Sequence, residues 1–440
     1  MTAAGGSRTP RRRPLTALAA DPEGRILELP GFQAMGMAGP EGFIPLTAAD
    51  TVVMPYGGEL MMLPGRRPVV LDLESGERRI LMENPYEPGQ PLFAVSAFNS
   101  PGYVHTAVSA FVEDPGARML PLFSYDAVGW LDGAFRTPIL RVDREPRQDL
   151  RRMPRERVVA GVERMRRIMP DNRLRRHLER CALEYGCPAG KNFFLGRYEA
   201  PLPTSRTCNA RCLGCISLQE GAEIRSSQER IDFTPSPEEI AEVALAHIRR
   251  VPRAVVSFGQ GCEGEPLLAA DVIAPAIRLI RRQTDRGTIN LNSNASRPDL
   301  LAVLLDAGLD SLRVSLNSVR PEVYAAYFRP RSYRFDDVVA SIDLALAKGR
   351  FVSINYLNCP GVTDGSREVE ALTGFLRAHP ISMIQWRNLN YDPLRYYRAM
   401  AAAAPPGPPL GMPGLLARLR RTFPRLVHGY FNPPKENWRK

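Results

Sequence analysis

The chain has 440 residues, 44% of them apolar and 24% charged, with a net charge of +11. That length suits two or three domains of ordinary globular composition, and no apolar run approaches the roughly 18 residues of a membrane span, so a cytoplasmic protein without a membrane partner is expected. The charge comes from 54 Arg and only 4 Lys, a bias spread over the whole sequence, which weakens any inference from net charge to a nucleic-acid partner.

Residues 1–24 carry Arg8 and Arg11–Arg13 but no apolar core of signal-peptide length, and read as a flexible basic tail. Residues 25–145 read as a β-rich N-terminal domain. PVVLDL and ERRILM flank Glu74-Ser75-Gly76-Glu77, and AVGWL and AFRTPI flank Asp132-Gly133, each the pattern of a hairpin. Residues 146–195 switch to helical spacing and read as a basic helical linker. Between Arg147 and Arg180 there are 12 Arg against 5 acidic residues, which fits a solvated helix face better than a surface for an acidic partner such as RNA.

From 196 to 400 strand-like and helix-like segments alternate. The strands are EAPLPTS, RAVVSF, GTINLN, SLRVSL, FVSINYL and SMIQWRNLN, each followed by a helical pattern. Six parallel βα units follow from this, either closed toward a barrel or left as an open sheet, with functional groups at the C-terminal ends of the strands. Residues 401–440 read as a Pro-rich linker, AAAAPPGPPLGMPG, then a short basic helix and a tail.

The sharpest local signal is Cys208-Asn209-Ala210-Arg211-Cys212-Leu213-Gly214-Cys215, in the loop after the first strand. The C-x3-C-x2-C spacing lets three thiolates converge on one centre. Three is one short of the four that saturate an iron–sulfur cluster or a structural zinc. Spacing alone leaves both open, with His247, Cys262 and Cys359 as donors that could close a zinc site. Seven cysteines in a chain without an export signal point away from disulfides.

The motif and its place after the first strand of a βα series resemble the radical S-adenosylmethionine (SAM) superfamily. The resemblance covers roughly 196–400. It implies a partial (β/α)6 barrel, a [4Fe–4S] cluster on Cys208, Cys212 and Cys215 as the catalytic metal ligands, and SAM on the open iron, cleaved to a 5′-deoxyadenosyl radical. A reductant such as flavodoxin or ferredoxin is implied as partner. Family members carry an aromatic residue before the last cysteine, near the adenine, where this chain has Gly214. Gly264 and Glu265, at the end of the second strand, resemble the Gly-Gly-Glu motif that holds the SAM amino group. Ser293 and Asn294 after strand three, Ser315 and Asn317 after strand four, and Asn355 on strand five stand where the family contacts the SAM ribose, carboxylate and adenine. Period-two spacing places Ser315 and Asn317 on one face.

The substrate is unspecified: small molecule, protein or RNA. Strand six is polar for a buried strand, and Arg387, Asn388 and Asn390 are its candidate substrate contacts, with Arg387 suited to a carboxylate or phosphate. Cys181, Cys187, Cys262 and Cys359 are scattered in sequence, which argues against a second cluster, although Cys181 and Cys187 could assist a metal. Cys262 reads first as a buried small residue. The rival reading is a zinc- or cluster-stabilised RNA-binding protein without catalysis.

Overall fold

The structure, a computed structural model, describes residues 13–219, 221 and 223–438. Two compact units result. The first comprises the chain up to Ser100 with His105–Arg118 and Ser124–Leu140; the second comprises Pro101–Val104, Met119–Phe123 and everything from Arg141.

The first unit is an antiparallel β structure. Arg66–Asp72 and Arg78–Ile80 form the hairpin around Glu74–Glu77, where the Asp72 carboxylate accepts the amides of Glu74 and Ser75. Gly129–Leu131 and Ala134–Thr137 form the second, with Asp132 and Gly133 both at positive φ, as a two-residue turn of matching twist requires. The expected tail is corrected here. Thr16–Ala20 is an interior strand paired with Ile26–Met37 and Phe93–Phe98. Ala17 and Ala19 join one apolar cluster and Leu18 and Ala20 another, so this short strand is buried on both faces. Residues 1–12 of the expected tail lie outside the described residues.

The second unit opens with three helices, α1 (Arg155–Ile168), α2 (Arg173–Leu183) and α3 (Pro188–Leu195). These pack as a layer rather than merely link. α1 buries Val158, Val162 and Met165, and α2 buries Leu174, Leu178 and Cys181. Much of the arginine excess is matched by nearby acids: Glu179 pairs with Arg166 and Arg175, Glu239 with Arg173, and Asp149 with Arg151.

A parallel sheet follows, of strands β1 (Glu199–Pro201), β2 (Val255–Phe258), β3 (Thr288–Ser293), β4 (Ser311–Leu316), β5 (Phe351–Asn358), β6 (Met383–Asn388) and β7 (Val427–Gly429), hydrogen-bonded in that order. It curls into a half-barrel, with helices between the strands. Leu312, Val314, Ile354, Ile384 and Trp386 form the buried apolar face. The alternate positions are polar and in register: Ser257 opposite Asn290, Asn292 opposite Arg313, Arg313 opposite Ser353, Ser315 opposite Asn355, and Asn355 opposite Gln385. A polar lumen in an otherwise apolar domain is a place for a ligand, because buried polar groups require partners.

The seventh strand and the segment after it were expected to be tail. Instead Lys435 donates its amide to Thr288 Oγ1 at 2.7 Å, and Trp438 stacks on Phe351 with centroids 4.7 Å apart, both at the N-terminal ends of strands. Asn432 accepts from Gln385 Nε2 and donates to Glu199 Oε1, each at 2.8 Å, and its carbonyl accepts from the Tyr198 hydroxyl. It closes the lumen floor. Replacing Asn432 by Ala strands the buried partners Glu199 and Gln385, each costing about 1–3 kcal/mol. A lowered urea midpoint at unchanged m-value is expected; an unaltered midpoint would show that the floor contributes nothing.

Candidate active site

The cysteine loop is fixed by its backbone. Arg211 and Leu213 donate amides to the carbonyls of Phe328 and Tyr327, each at 3.0 Å, and Arg331 donates to Asn209 O at 2.8 Å. Asn209, between the first two cysteines, accepts from Asn294 Nδ2 at 2.8 Å and donates to Ser296 Oγ at 2.9 Å. The loop is thereby tied to the end of β3 and to the end of the helix Pro321–Phe328. Cys208, Cys212 and Cys215 are half-buried, unpaired thiols. Cys212 and Cys215 line a cavity of about 410 Å³ together with Arg230, Gln219 and Tyr391.

The electrostatics of this loop call for a cation. Burial pushes Cys208 up to about 11, with the charge of Glu265 adding to it. Cys212 is raised well above the ordinary thiol range by burial, and then by the other two sulfurs. Three thiolates at this spot are therefore stable only around positive charge. Arg230 supplies some, with Nη2 at 3.7 Å from Cys215 Sγ.

The donor set fits a cluster better than a single ion. The donors that could have closed a zinc site are engaged elsewhere. His247 is fully buried, sits 3.2 Å from Tyr198 O and is pushed down to about 3 by burial. Cys262 contacts Cys181, and Cys359 is fully buried beside Pro360 and Tyr397. All three thus make contacts outside the cysteine loop.

The loop after β2 is built on two buried carboxylates. Glu263 accepts four amides: Gly259 at 2.6 Å and Gln260 at 2.8 Å on Oε1, Thr204 at 2.8 Å and Ser205 at 3.0 Å on Oε2. It locks the segment entering the cysteine loop to the end of β2. Gly264 lies so close to that segment that a Cβ there would stand 1.9 Å from Thr207 O, so only glycine fits. Glu265 accepts the Ser293 hydroxyl at 2.5 Å and the amides of Asn294 at 2.8 Å and Leu267 at 3.0 Å. Burial pushes both carboxyls up to about 7 against these hydrogen bonds.

Sequence reasoning placed Gly264, Glu265, Ser293 and Asn294 near one another, and the structure brings them together. Ser293 and Asn294 spend their polar groups on Glu265 and Asn209. The residue of that run that joins the lumen face is Asn292, whose Nδ2 is buried without a partner. Ser315 and Asn355 are neighbours in register on the lumen face, and Asn355 Oδ1 is likewise unpartnered. The same-face expectation for Asn317 is corrected. The strand ends at Leu316, alternation stops with it, and Asn317 turns to the carbonyl of Val323 and the hydroxyl of Tyr396 at 3.2 and 3.3 Å.

On β6, Gln385 and Arg387 take the lumen side and Trp386 the apolar side. Arg387 lies 3.7 Å over the Tyr430 ring. Asn388 accepts from Asn358 Nδ2 at 3.2 Å and donates to Tyr103 O at 3.3 Å. Asn390 lies against Gly214 through its backbone carbonyl. Several residues escaped the sequence reading. Arg313 donates to Gln385 Oε1 at 2.9 Å, and its Nε is buried without a partner. Burial and the like charge of Arg387 push it down to about 9. Among the described residues no carboxylate forms a salt bridge with either arginine. The available signal was a charge in the middle of SLRVSL. Arg230 had none. Tyr391 and Tyr327 occupy the space beside Gly214, where a Cβ would meet Tyr327 Oη and Asn390 O at 2.9 Å each. The missing aromatic side chain is thus sterically excluded, and aromatic groups arrive from elsewhere in the fold.

Residues 202–372 match the profile of the Radical SAM superfamily. The chain is 31% identical over 180 residues to the GTP 3′,8-cyclase of Corynebacterium glutamicum, covering 38% of this chain and 44% of that protein. It is 31% identical over 159 residues to the GTP 3′,8-cyclase of Heliobacterium modesticaldum, covering 36% and 45%. It spans less than half the length of these curated relatives. Among solved structures, SuiB of Streptococcus suis overlaps 59% of this chain and 53% of its own at 11% identity and a TM-score of 0.36. Among the described residues no helix is long and apolar enough to cross a membrane.

Proposed function

Residues 202–372 belong to the radical SAM superfamily, whose members bind a [4Fe–4S] cluster and SAM, and from that premise we propose that this chain is a radical SAM enzyme acting on an anionic substrate in its half-barrel. The observation that carries the proposal is the trio Cys208, Cys212 and Cys215, free thiols held in one loop, with His247, Cys262 and Cys359 each in contact with other groups. When bound, a cluster with SAM at its open iron supplies the 5′-deoxyadenosyl radical that abstracts hydrogen.

The chain's own groups do the rest. The three cysteines hold the cluster, and Arg230 donates toward Cys215 and offsets thiolate charge. Glu263 sets the loop entry, while Ser293 and Asn294 set Glu265. The carboxylate of Glu265 keeps acceptor capacity beyond its three hydrogen bonds for the SAM amine. Ser315 and Asn355 offer lumen-facing partners to SAM's polar groups. A reductant of the flavodoxin or ferredoxin class supplies the electron.

Reconstituted anaerobically and reduced, the protein is expected to convert SAM to 5′-deoxyadenosine and methionine. Intact SAM in a sample that holds its cluster would overturn the proposal.

The anionic substrate rests on Arg313 and Arg387, two like charges on one lumen face that form no salt bridge among the described residues, with Glu199 as the one carboxylate that offsets Arg313 at longer range. Two guanidinium groups so placed in a low-dielectric site favour a bidentate anion. The GTP in the relatives' name is a substrate of that charge. With inorganic pyrophosphate as probe, the wild-type Tm is expected to rise by several degrees. The Arg313→Met, Arg387→Met double variant is expected to lose that rise; an equal rise in both proteins removes the anion site.

A further inference from the structure

Outside the cysteine loop, a second group of metal-binding side chains comes together in the second unit. His177 and Cys181 are four residues apart on α2 and share one face of the helix. Cys262 lies 81 positions beyond Cys181, in the loop after β2. Their donor atoms all lie within 4.8 Å of one another. His177 Nε2 stands 3.6 Å from Cys181 Sγ, and the Cys181 and Cys262 thiols are in hydrogen-bonding contact. Cys181 and Cys262 are 2% and 5% exposed, and the ring of Phe233 meets His177 edge-on.

The spacing is that of one ion. With Zn–S of about 2.3 Å and Zn–N of about 2.0–2.1 Å, a tetrahedron has an N···S edge of about 3.6 Å and an S···S edge of about 3.8 Å. A further sulfur is nearby, outside the trio: Cys187 caps α3, its amide donates to Cys181 O at 2.9 Å, and its thiol interacts electrostatically with those of Cys181 and Cys262.

We propose that His177, Cys181 and Cys262 form a separate zinc site, completed by Cys187, that staples the helical layer to the loop carrying Glu263 and Glu265. Three soft or borderline donors from two distant segments, converging in a largely buried corner, match the ligand set of a structural zinc. Cys262 is the residue before Glu263, and its carbonyl accepts the amide of Ile231 at 2.8 Å. An ion at Cys262 therefore restrains the segment whose carboxylates organise the site. The proposal does not depend on SAM cleavage, since it rests on residues outside the cysteine loop.

The test is metal analysis of anaerobically purified full-length protein from zinc-supplemented cells. Wild type is expected to hold about one zinc per chain in addition to iron. The Cys208→Ala, Cys212→Ala, Cys215→Ala triple variant is expected to lose iron and keep zinc. Cys181→Ser with Cys262→Ser is expected to keep iron and lose zinc, iron retention certifying the fold. Because those two thiols are buried, His177→Ala gives the same reading from a half-buried position. Cobalt-substituted protein is expected to show thiolate-to-cobalt charge transfer, absent from the double variant. Wild type without zinc overturns the proposal, as does zinc unchanged in the double variant or a Cys181–Cys262 disulfide in unreduced peptide maps. Iron content and SAM cleavage in the same samples report separately on the cysteine loop.

Discussion

The Cys212→Ala variant is expected to purify folded, nearly free of iron, and unable to cleave SAM. Even outer-shell changes at metal sites cost about 10–100-fold in affinity, and loss of one of only three ligands exceeds that. The fold survives because the backbone around Cys212 is held independently, by the amides of Arg211 and Leu213 on Phe328 and Tyr327. Circular dichroism and thermal unfolding check the fold, iron analysis and the cluster's visible absorbance check occupancy, and 5′-deoxyadenosine yield checks cleavage. Cys359→Ala, at a buried thiol beside Tyr397, serves as the control that keeps its iron. Wild-type iron in Cys212→Ala would sink the ligand assignment and the enzymatic reading with it.

Glu263→Ala is expected to be the most destabilising single change around the loop after β2. It removes the acceptor for four amides at once. Each buried donor left unpaired costs about 1–3 kcal/mol. Relief from carrying a carboxylate that burial has pushed up to about 7 offsets part of this. A net loss of about 3–5 kcal/mol is expected, in line with breaking other buried charged networks. In a chain this large that corresponds to a fall in Tm of about 10 °C. Glu263→Gln separates the two halves of the network. A Gln carbonyl can serve the Gly259 and Gln260 amides or those of Thr204 and Ser205, while its NH2 faces the other pair as donor against donor. It is therefore expected to recover only part of the loss. A Tm within a degree of wild type for Glu263→Ala would show that the loop holds its shape without the carboxylate.

How far the site could be read in advance depended on chain distance. Cys208, Cys212 and Cys215 span one loop, so their convergence follows from local spacing. Glu265, Ser293 and Asn294 fell at the ends of adjacent strands, and parallel strands in sequential order bring such ends together. Reading failed where a strand stopped. Asn317 was assigned by alternation, which ends with β4 at Leu316. It failed again where a residue's role lay across the sheet: Arg313 looked like one charge in an apolar strand until the register set it opposite Asn292 and Ser353. The aromatic group missing at Gly214 comes from Tyr327 and Tyr391, more than a hundred residues away.

Local pattern in the chain sets the α/β order, the cysteine loop at the end of the first strand, and the two hairpins of the first unit. These follow from periodicity, turn chemistry and ligand spacing, all of which act over a few residues. Long-range packing makes Thr16–Ala20 core, brings Asn432 to the lumen floor, puts two arginines on one face, and brings His177, Cys181 and Cys262 together. Those depend on packing and strand register, which join residues that no local pattern connects.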